Sequence, residues 1–271
     1  MSRGPKYYPS KGVCIYCRSS DSQLKDEHII PYSLGGLHVL RNASCAICED
    51  MTKKFEQKVA RDLWGDARTS FNAPTRRKKQ RKSHIELGTG SRNSMMRIPA
   101  SEYPAGFVFY KMGLCGLLQG LHEENDMSTA WQLVVIDDEE RRNMYFHNYG
   151  HYPPIKFRNV PYEFGRLLTK IGYCQLLTSL DLEDFHPIAL QYITGAKKNV
   201  SYIVGSKDGE PEAENGYRLT TMYTENTNPM LLVVEIRLYA NTGSPTYHVV
   251  AGSQSDPEKI LLIKKKLLAA A

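Results

Sequence analysis

Apolar residues recur at helical spacing in two segments of the chain. In residues 50–63, Phe55, Val59 and Leu63 recur at spacing four while lysines occupy other faces, which predicts an amphipathic helix. Residues 162–180 carry a similar apolar pattern and predict a second helix.

Short apolar runs between turn-forming residues predict strands in the second half of the chain. The first run, residues 130–136, predicts a buried strand that ends at a charged, solvated turn over residues 137–142. The later predicted strands cover residues 200–205, 217–223, 230–239 and 246–251. Helices and strands in this mixed order predict the α+β fold class.

Three stretches of different composition predict the domain organisation. Residues 1–66 hold paired cysteines and the densest polar cluster. Residues 67–100 are basic and rich in Ser, Gly and Asn, which predicts a connector. Residues 101–271 predict an α+β domain for sensing, binding or dimerisation, and no motif in them selects among these roles.

The overall composition is that of a soluble globular protein, with 41% apolar and 24% charged residues. No apolar run approaches the roughly 20 residues that span a bilayer, so we expect no membrane segment. Residues 1–9 hold no apolar stretch of the kind found in signal peptides, and a cytoplasmic location is therefore expected.

The net charge of +6 is a weak indication of a nucleic-acid partner, but its distribution is more informative. Six cations fall within seven residues: Arg76, Arg77, Lys78, Lys79, Arg81 and Lys82. Such a run is either a solvated linker or a surface that contacts phosphates. Its position after the polar cluster of the first stretch favours phosphate contact.

The six cysteines divide into two classes. Cys115 and Cys174 stand alone among apolar neighbours and predict buried, inert side chains. The other four form two Cys-x-x-Cys pairs separated by 27 residues: Cys14, Cys17, Cys45 and Cys48. Four thiolates close a tetrahedral shell, so these pairs predict a structural zinc site rather than a catalytic one. Disulfides are the alternative, and a reducing compartment disfavours them.

The segment between the two cysteine pairs carries residues suited to hydrolysis of a phosphodiester. That reaction needs a base to activate water and a divalent cation to stabilise the leaving oxygen. His28, its acidic neighbours and Asn42 match these needs in residue type. A Glu-His pair alone is more often structural, but its place between two zinc-binding pairs favours catalysis.

The whole pattern resembles the HNH, or His-Me finger, endonucleases. The resemblance covers roughly residues 13–60 and is closest to the prokaryotic branch that begins its motif with Glu-His-Ile-Ile-Pro. The residues that carry it are the two cysteine pairs, Asp26-Glu27-His28-Ile29-Ile30-Pro31, Ser33-Leu34-Gly35-Gly36 and Asn42. The resemblance implies a small ββα-metal module in which two strands and a helix hold one Mg²⁺ or Mn²⁺ ion.

The resemblance also implies residue roles. His28 would be the general base, Asn42 would orient it through a hydrogen bond between strands, and Glu27, with Asp26 as the alternative, would ligate the cation. The family commonly has His or Asn directly after the last cysteine as a second ligand, and this chain has Glu49 there. A carboxylate suits Mg²⁺ or Mn²⁺, and Glu56 is a further candidate for this ligand.

The resemblance implies an endonuclease that hydrolyses DNA, and many prokaryotic members act in defence against foreign DNA. Cleavage of RNA is a weaker alternative, because the chemistry needs no 2′-hydroxyl group. A homodimer and a regulatory ligand or partner protein at residues 101–271 are further expectations. The main competing hypothesis is a non-catalytic zinc module that binds nucleic acid or protein, which Glu49 favours.

Overall fold

A computed structural model describes residues 4–20, 23–74, 79, 82–88, 95–209 and 216–270. The fold is α+β, as the sequence predicts, with a small module around the four cysteines followed by further α+β structure. Because Arg76, Arg77, Lys78 and Arg81 lie outside the described residues, their predicted role as phosphate contacts stays a prediction.

The N-terminal module consists of a three-stranded sheet and a helix. Its strands are β1 (Lys6–Tyr8), β2 (Lys25–His28) and β3 (His38–Ser44). The central strand β3 pairs parallel with β1 and antiparallel with β2. Helix α1 (Ala46–Lys58) follows β3 directly and continues into a π-helical turn, Val59–Leu63. Phe55, Val59 and Leu63 are all buried, which confirms the predicted helix and its apolar face.

The stretch predicted as a connector contains regular structure of its own. Helix α2 (Gly65–Ser70) is followed by a hairpin of β4 (His84–Gly88) and β5 (Met95–Pro99). Ile85, Leu87 and Ile98 are buried on one face of this hairpin. Apolar residues in alternate positions were the available signal, and the basic run beside them concealed it.

The remaining strands form a second hairpin and a larger sheet. Strands β6 (Phe107–Lys111) and β7 (Gln132–Ile136) pair antiparallel in the hairpin. The four-stranded antiparallel sheet has the order β8-β11-β10-β9 and consists of β8 (Val204–Lys207), β9 (Tyr217–Tyr223), β10 (Met230–Leu238) and β11 (Thr246–Gln254). These strands confirm the later predictions, except that a 3-10 turn at Val200–Tyr202 takes the first part of the predicted segment 200–205.

The predicted strand at residues 130–136 forms, but it is not buried. In β7, Leu133 and Val135 are more than a third exposed, because among the described strands β7 pairs with β6 alone. The charged segment after it is not a solvated turn either. Asp138 caps helix α3 (Glu139–Tyr149) by accepting a 3.1 Å hydrogen bond from the backbone nitrogen of Arg141.

Helix α4 (Pro161–Leu176) lies at the centre of the molecule and confirms the second predicted helix. It packs against α1 of the module and against β10 and β11 of the large sheet. At Gly172 an added Cβ would lie 3.0 Å from Val249 of β11, so the absence of a side chain permits this close approach. Two further helices, α5 (Ala189–Thr194) and α6 (Pro257–Ala270), complete the fold.

One apolar core extends through the module and the large sheet. Trp64, fully buried, donates from its indole nitrogen to the carbonyl of Val108 at 2.6 Å and contacts the rings of Phe109, Phe164 and Tyr239. Cys115 and Cys174 are buried, as their apolar neighbours predict. Among the described helices, none has both the length and the apolar character needed to cross a membrane.

Candidate functional site

The four paired cysteines converge on one point. The sulfur atoms of Cys14, Cys17, Cys45 and Cys48 all lie within 4.8 Å of one another. The sulfur atoms of Cys17 and Cys45 are 3.7 Å apart. Four Zn–S bonds in a tetrahedron place the sulfur atoms about 3.8 Å apart. The observed spacing therefore fits a zinc ion held by four thiolates with no open coordination position.

Local backbone geometry brings the two cysteine pairs together. The first pair lies in a tight turn, where Arg18, with φ of 64°, donates its backbone N–H to the carbonyl of Cys14 at 2.8 Å. The second pair lies at the start of α1, for which Cys45 is the N-cap residue. The positive end of a helix dipole stabilises thiolates at such a position. The backbone nitrogen of Cys45 also donates to the sulfur of Cys14 at 3.4 Å.

Strand β2 divides its polar side chains between two faces, since alternate residues of a strand point in opposite directions. Asp26 and His28 lie on one face and line a cleft of about 450 Å³ with Tyr7, Tyr32 and Val39. The ring of His28 lies 5.8 Å from that of Tyr32, measured between centroids. Glu27 points the other way and is buried. The cleft therefore combines an imidazole with a carboxylate.

Asn42 lies beside Asp26 rather than beside His28. His28 pairs with Val39 across the sheet, and a register shift between Lys25 and Glu27 places an irregularity opposite Asp26. Asn42 adopts φ of 45° there, a left-handed conformation that asparagine tolerates better than most residues. Its backbone nitrogen donates to a carboxylate oxygen of Asp26 at 3.0 Å. The structure thus places Asn42 where it orients Asp26 through the backbone.

Glu27 and Glu56 meet on the buried side of β2 at a lysine from α4. The Lys170 nitrogen lies 2.7 Å from Glu27 Oε1 and 3.0 Å from Glu56 Oε1. It also donates hydrogen bonds to the backbone carbonyls of His28 and Ile29, the second at 3.4 Å. The Lys170 side chain is completely buried.

The electrostatics of this buried group keep Lys170 charged. Burial alone would lower the pKa of Lys170, but the carboxylates of Glu27 and Glu56 hold that pKa above its ordinary value. Burial raises the pKa of Glu56, although Lys170 opposes the shift. The ammonium is thus the positive charge that stabilises the carboxylates of Glu27 and Glu56.

Glu49, the residue directly after Cys48, faces a different partner. Its carboxylate lies 2.6 Å from the nitrogen of Lys25 at the start of β2. Glu27, Glu49 and Glu56 are therefore divided between two lysines. Within the described ranges, the four cysteines are the one set of three or more ligand side chains close enough to share an ion. The three glutamates, as they stand, do not fit a common divalent cation.

Part of the basic run lines a separate cavity. Lys79 and Lys82 border a space of about 540 Å³ together with Arg97 and Lys156. His84, Asp66 and Glu86 also line it, so the wall carries both signs of charge with cations in excess. Such a wall suits an anionic group such as a phosphate.

Lys170 is the residue of this region that the sequence analysis missed. It is the one lysine within the predicted helix of residues 162–180. A charged residue among apolar neighbours on a buried helix indicates a buried partner of opposite charge. The pattern could have identified Lys170 as paired, but not its partners, because Glu27 lies 143 residues away.

The N-terminal module matches a known protein family. Residues 14–63 match the family model described as HNH endonuclease. The match contains both cysteine pairs, β2, β3 and α1, together with His28 and Asn42. No curated protein and no solved structure matches the chain.

Proposed function

We propose that this chain is a metal-dependent endonuclease that hydrolyses phosphodiester bonds of DNA, with His28 as its general base. The observation that carries the proposal is the cleft containing His28 and Asp26 within a module that matches the HNH endonuclease family. This module is held by a four-cysteine cluster that fits zinc.

His28 suits the role of base because an imidazole changes its charge near neutral pH. His28 is the last residue of β2, and its half-buried side chain lines the cleft. A water molecule in the cleft is therefore within reach of the imidazole. The neutral ring accepts a proton from that water, and the resulting hydroxide attacks the phosphorus in line with the leaving 3′-oxygen.

Asp26 is the carboxylate that we propose as a ligand of the divalent ion. It lines the same cleft as His28, whereas the carboxylates of Glu27 and Glu56 are bound by Lys170. A bound Mg²⁺ or Mn²⁺ ion supplies charge neutralisation at the scissile phosphate and the leaving oxygen. Asn42 holds the Asp26 carboxylate through its backbone N–H.

Nucleic acid is the proposed substrate because the family acts on it and because a basic cavity is present. Lys79, Lys82, Arg97 and Lys156 offer contacts to backbone phosphates. DNA rather than RNA, a homodimer that cuts both strands and a role in prokaryotic defence rest on the family resemblance alone.

The competing function is a zinc module that binds nucleic acid without cleaving it. The contacts of Glu27, Glu49 and Glu56 with lysines are the observation that favours this alternative. Incubation of the purified full chain with plasmid DNA, linear duplex DNA and single-stranded RNA, in Mg²⁺, Mn²⁺ or EDTA, separates the two functions.

The proposed nuclease cleaves DNA in Mg²⁺ or Mn²⁺ and leaves it intact in EDTA, while zinc content stays constant in all samples. Retarded migration of DNA without cleavage in any metal would support the binding module instead. Cleavage of RNA but not DNA would retain the nuclease and change its substrate.

A further inference from the structure

We infer that Lys170 is a positioning residue of the nuclease site, through which helix α4 holds the backbone of His28 in place. The inference rests on the proposed function, since it assigns a task to Lys170 in the catalysis by His28. It adds a residue from outside the stretch 14–63 that matches the HNH family model.

Lys170 contacts the backbone at the end of β2, the strand that carries His28. Its ammonium donates to the carbonyl of His28 and, at 3.4 Å, to that of Ile29. The backbone nitrogen of Ile29 in turn donates to the carbonyl of His38 on β3 at 3.0 Å. The peptide unit that follows His28 is therefore held from two sides, its carbonyl by α4 and its N–H by β3. A fixed backbone limits the positions that the imidazole can take in the cleft.

Other residues of α4 contact the same module. Tyr173 donates from its hydroxyl to the carbonyl of Ile15, within the first cysteine pair, at 2.7 Å. The sulfur of Cys174 lies 3.5 Å from the hydroxyl of Tyr16. Lys170, Tyr173 and Cys174 thus reach the catalytic strand, the zinc turn and, through Glu56, helix α1. Helix α4 therefore contacts all three parts of the module and holds them in position relative to one another.

The chemistry of the contacts requires an ammonium rather than an apolar side chain. The buried carboxylate of Glu27, the half-buried one of Glu56 and two backbone carbonyls surround one point, and all four are hydrogen-bond acceptors. A lysine offers three donors and a positive charge in a compact group, and it accepts nothing. An apolar residue there would leave buried acceptors without donors, which is costly.

The first variant is Lys170→Met, which keeps the approximate shape and removes the ammonium. The variant loses the hydrogen bonds to the carbonyls of His28 and Ile29, which lets the imidazole of His28 shift. A displacement of about 1 Å costs on the order of 10²-fold in rate. We expect kcat to fall by that order while KM changes little, because the substrate-binding surface is elsewhere. Plasmid cleavage under multiple turnover measures both constants.

A second variant keeps the inference testable if Lys170→Met fails to fold. Lys170→Met combined with Glu27→Gln and Glu56→Gln removes the ammonium together with the two carboxylates that it neutralises. If the lysine served only to balance charge, this triple variant would regain wild-type kcat. We expect the triple variant to have the zinc content and circular dichroism spectrum of wild type, while its kcat remains low.

The matched control is Lys58→Met, which removes another lysine bridge between α1 and α4. Lys58 pairs with Glu163 at the surface and has no contact with β2 among the described residues. An exposed ion pair contributes little, so we expect kcat within about twofold of wild type.

Amide hydrogen exchange at Ile29 separates failure of this inference from failure of the proposed function. We expect exchange on the order of 10-fold faster in the triple variant than in wild type, with other amides of β2 and β3 less affected. Unchanged exchange, or wild-type kcat in either Lys170 variant, would overturn the positioning role. If wild type itself cleaves nothing, the nuclease is refuted and the exchange data alone decide whether Lys170 tethers the strand.

Discussion

At the scale of single residues, the alternation of β2 decides which acid can take part in chemistry. Asp26 and His28 share the face that lines the cleft, and Glu27 between them faces Lys170. In the sequence Asp26-Glu27-His28, the family resemblance favours Glu27 as the metal ligand, whereas the geometry favours Asp26. The two assignments predict different behaviour for two isosteric substitutions.

Asp26→Asn is expected to raise the Mn²⁺ concentration needed for half-maximal cleavage by on the order of 10-fold, because it removes a charged ligand. Glu27→Gln is expected instead to lower the melting temperature, because it removes the 2.7 Å ion pair with buried Lys170. A loss of about 2 kcal/mol corresponds to roughly 4 to 8 °C in a chain of this size. Metal titration of cleavage and thermal unfolding of both variants measure these effects.

The reverse pattern would contradict the assignment. A higher Mn²⁺ requirement in Glu27→Gln together with an unchanged requirement in Asp26→Asn would place the ion at Glu27. Lys170 would then have to release that carboxylate when the metal binds.

At the scale of elements, the four-cysteine cluster determines how β3 passes into α1. Cys45 is the single residue between β3 and α1 and the N-cap residue of that helix, while Cys14 belongs to a turn before β2. Bringing these two turns to one ion therefore sets the position of the helix against the strands. A cluster of this kind contributes to folding directly.

Cys48→Ser is expected to abolish binding of zinc, which wild type should hold at one ion per chain, and to lower the melting temperature by on the order of 10 °C. The matched control is Cys115→Ala, since Cys115 is also buried but belongs to no ligand cluster among the described residues. Metal analysis by mass spectrometry and thermal unfolding measure both quantities. A full complement of zinc in Cys48→Ser would contradict the four-thiolate site.

The elements that the sequence predicts correctly are those with strong local signals. Cysteine spacing predicts the cluster, and the apolar spacing of Phe55, Val59 and Leu63 predicts the helix that follows it. Helix α3 lacks a clear sequence signal because four charged residues begin it and few apolar positions follow. The β4–β5 hairpin has alternating apolar residues, but its strands are only five residues long and lie beside the basic run.

At the scale of the whole molecule, the module and the C-terminal part share one core. Trp64 directly follows the π-helical turn at the end of α1. Its ring packs against Phe109 of β6, Phe164 of α4 and Tyr239, which directly follows β10. Lys170 joins the same two parts through charge. No local pattern reveals such pairings, because a buried lysine and its carboxylate partners are brought together only by the tertiary fold. The boundaries predicted at residues 66 and 100 stay predictions.

The proposed role of His28 as the base of a nuclease can be measured in the single-turnover cleavage of plasmid DNA by His28→Ala. With metal in excess, we expect a rate lower than wild type by about 10²- to 10⁴-fold. The same variant should retain its zinc and its circular dichroism spectrum, because the His28 ring lines a cleft rather than the core. A variant that is folded, zinc-loaded and as fast as wild type would show that His28 is not the base.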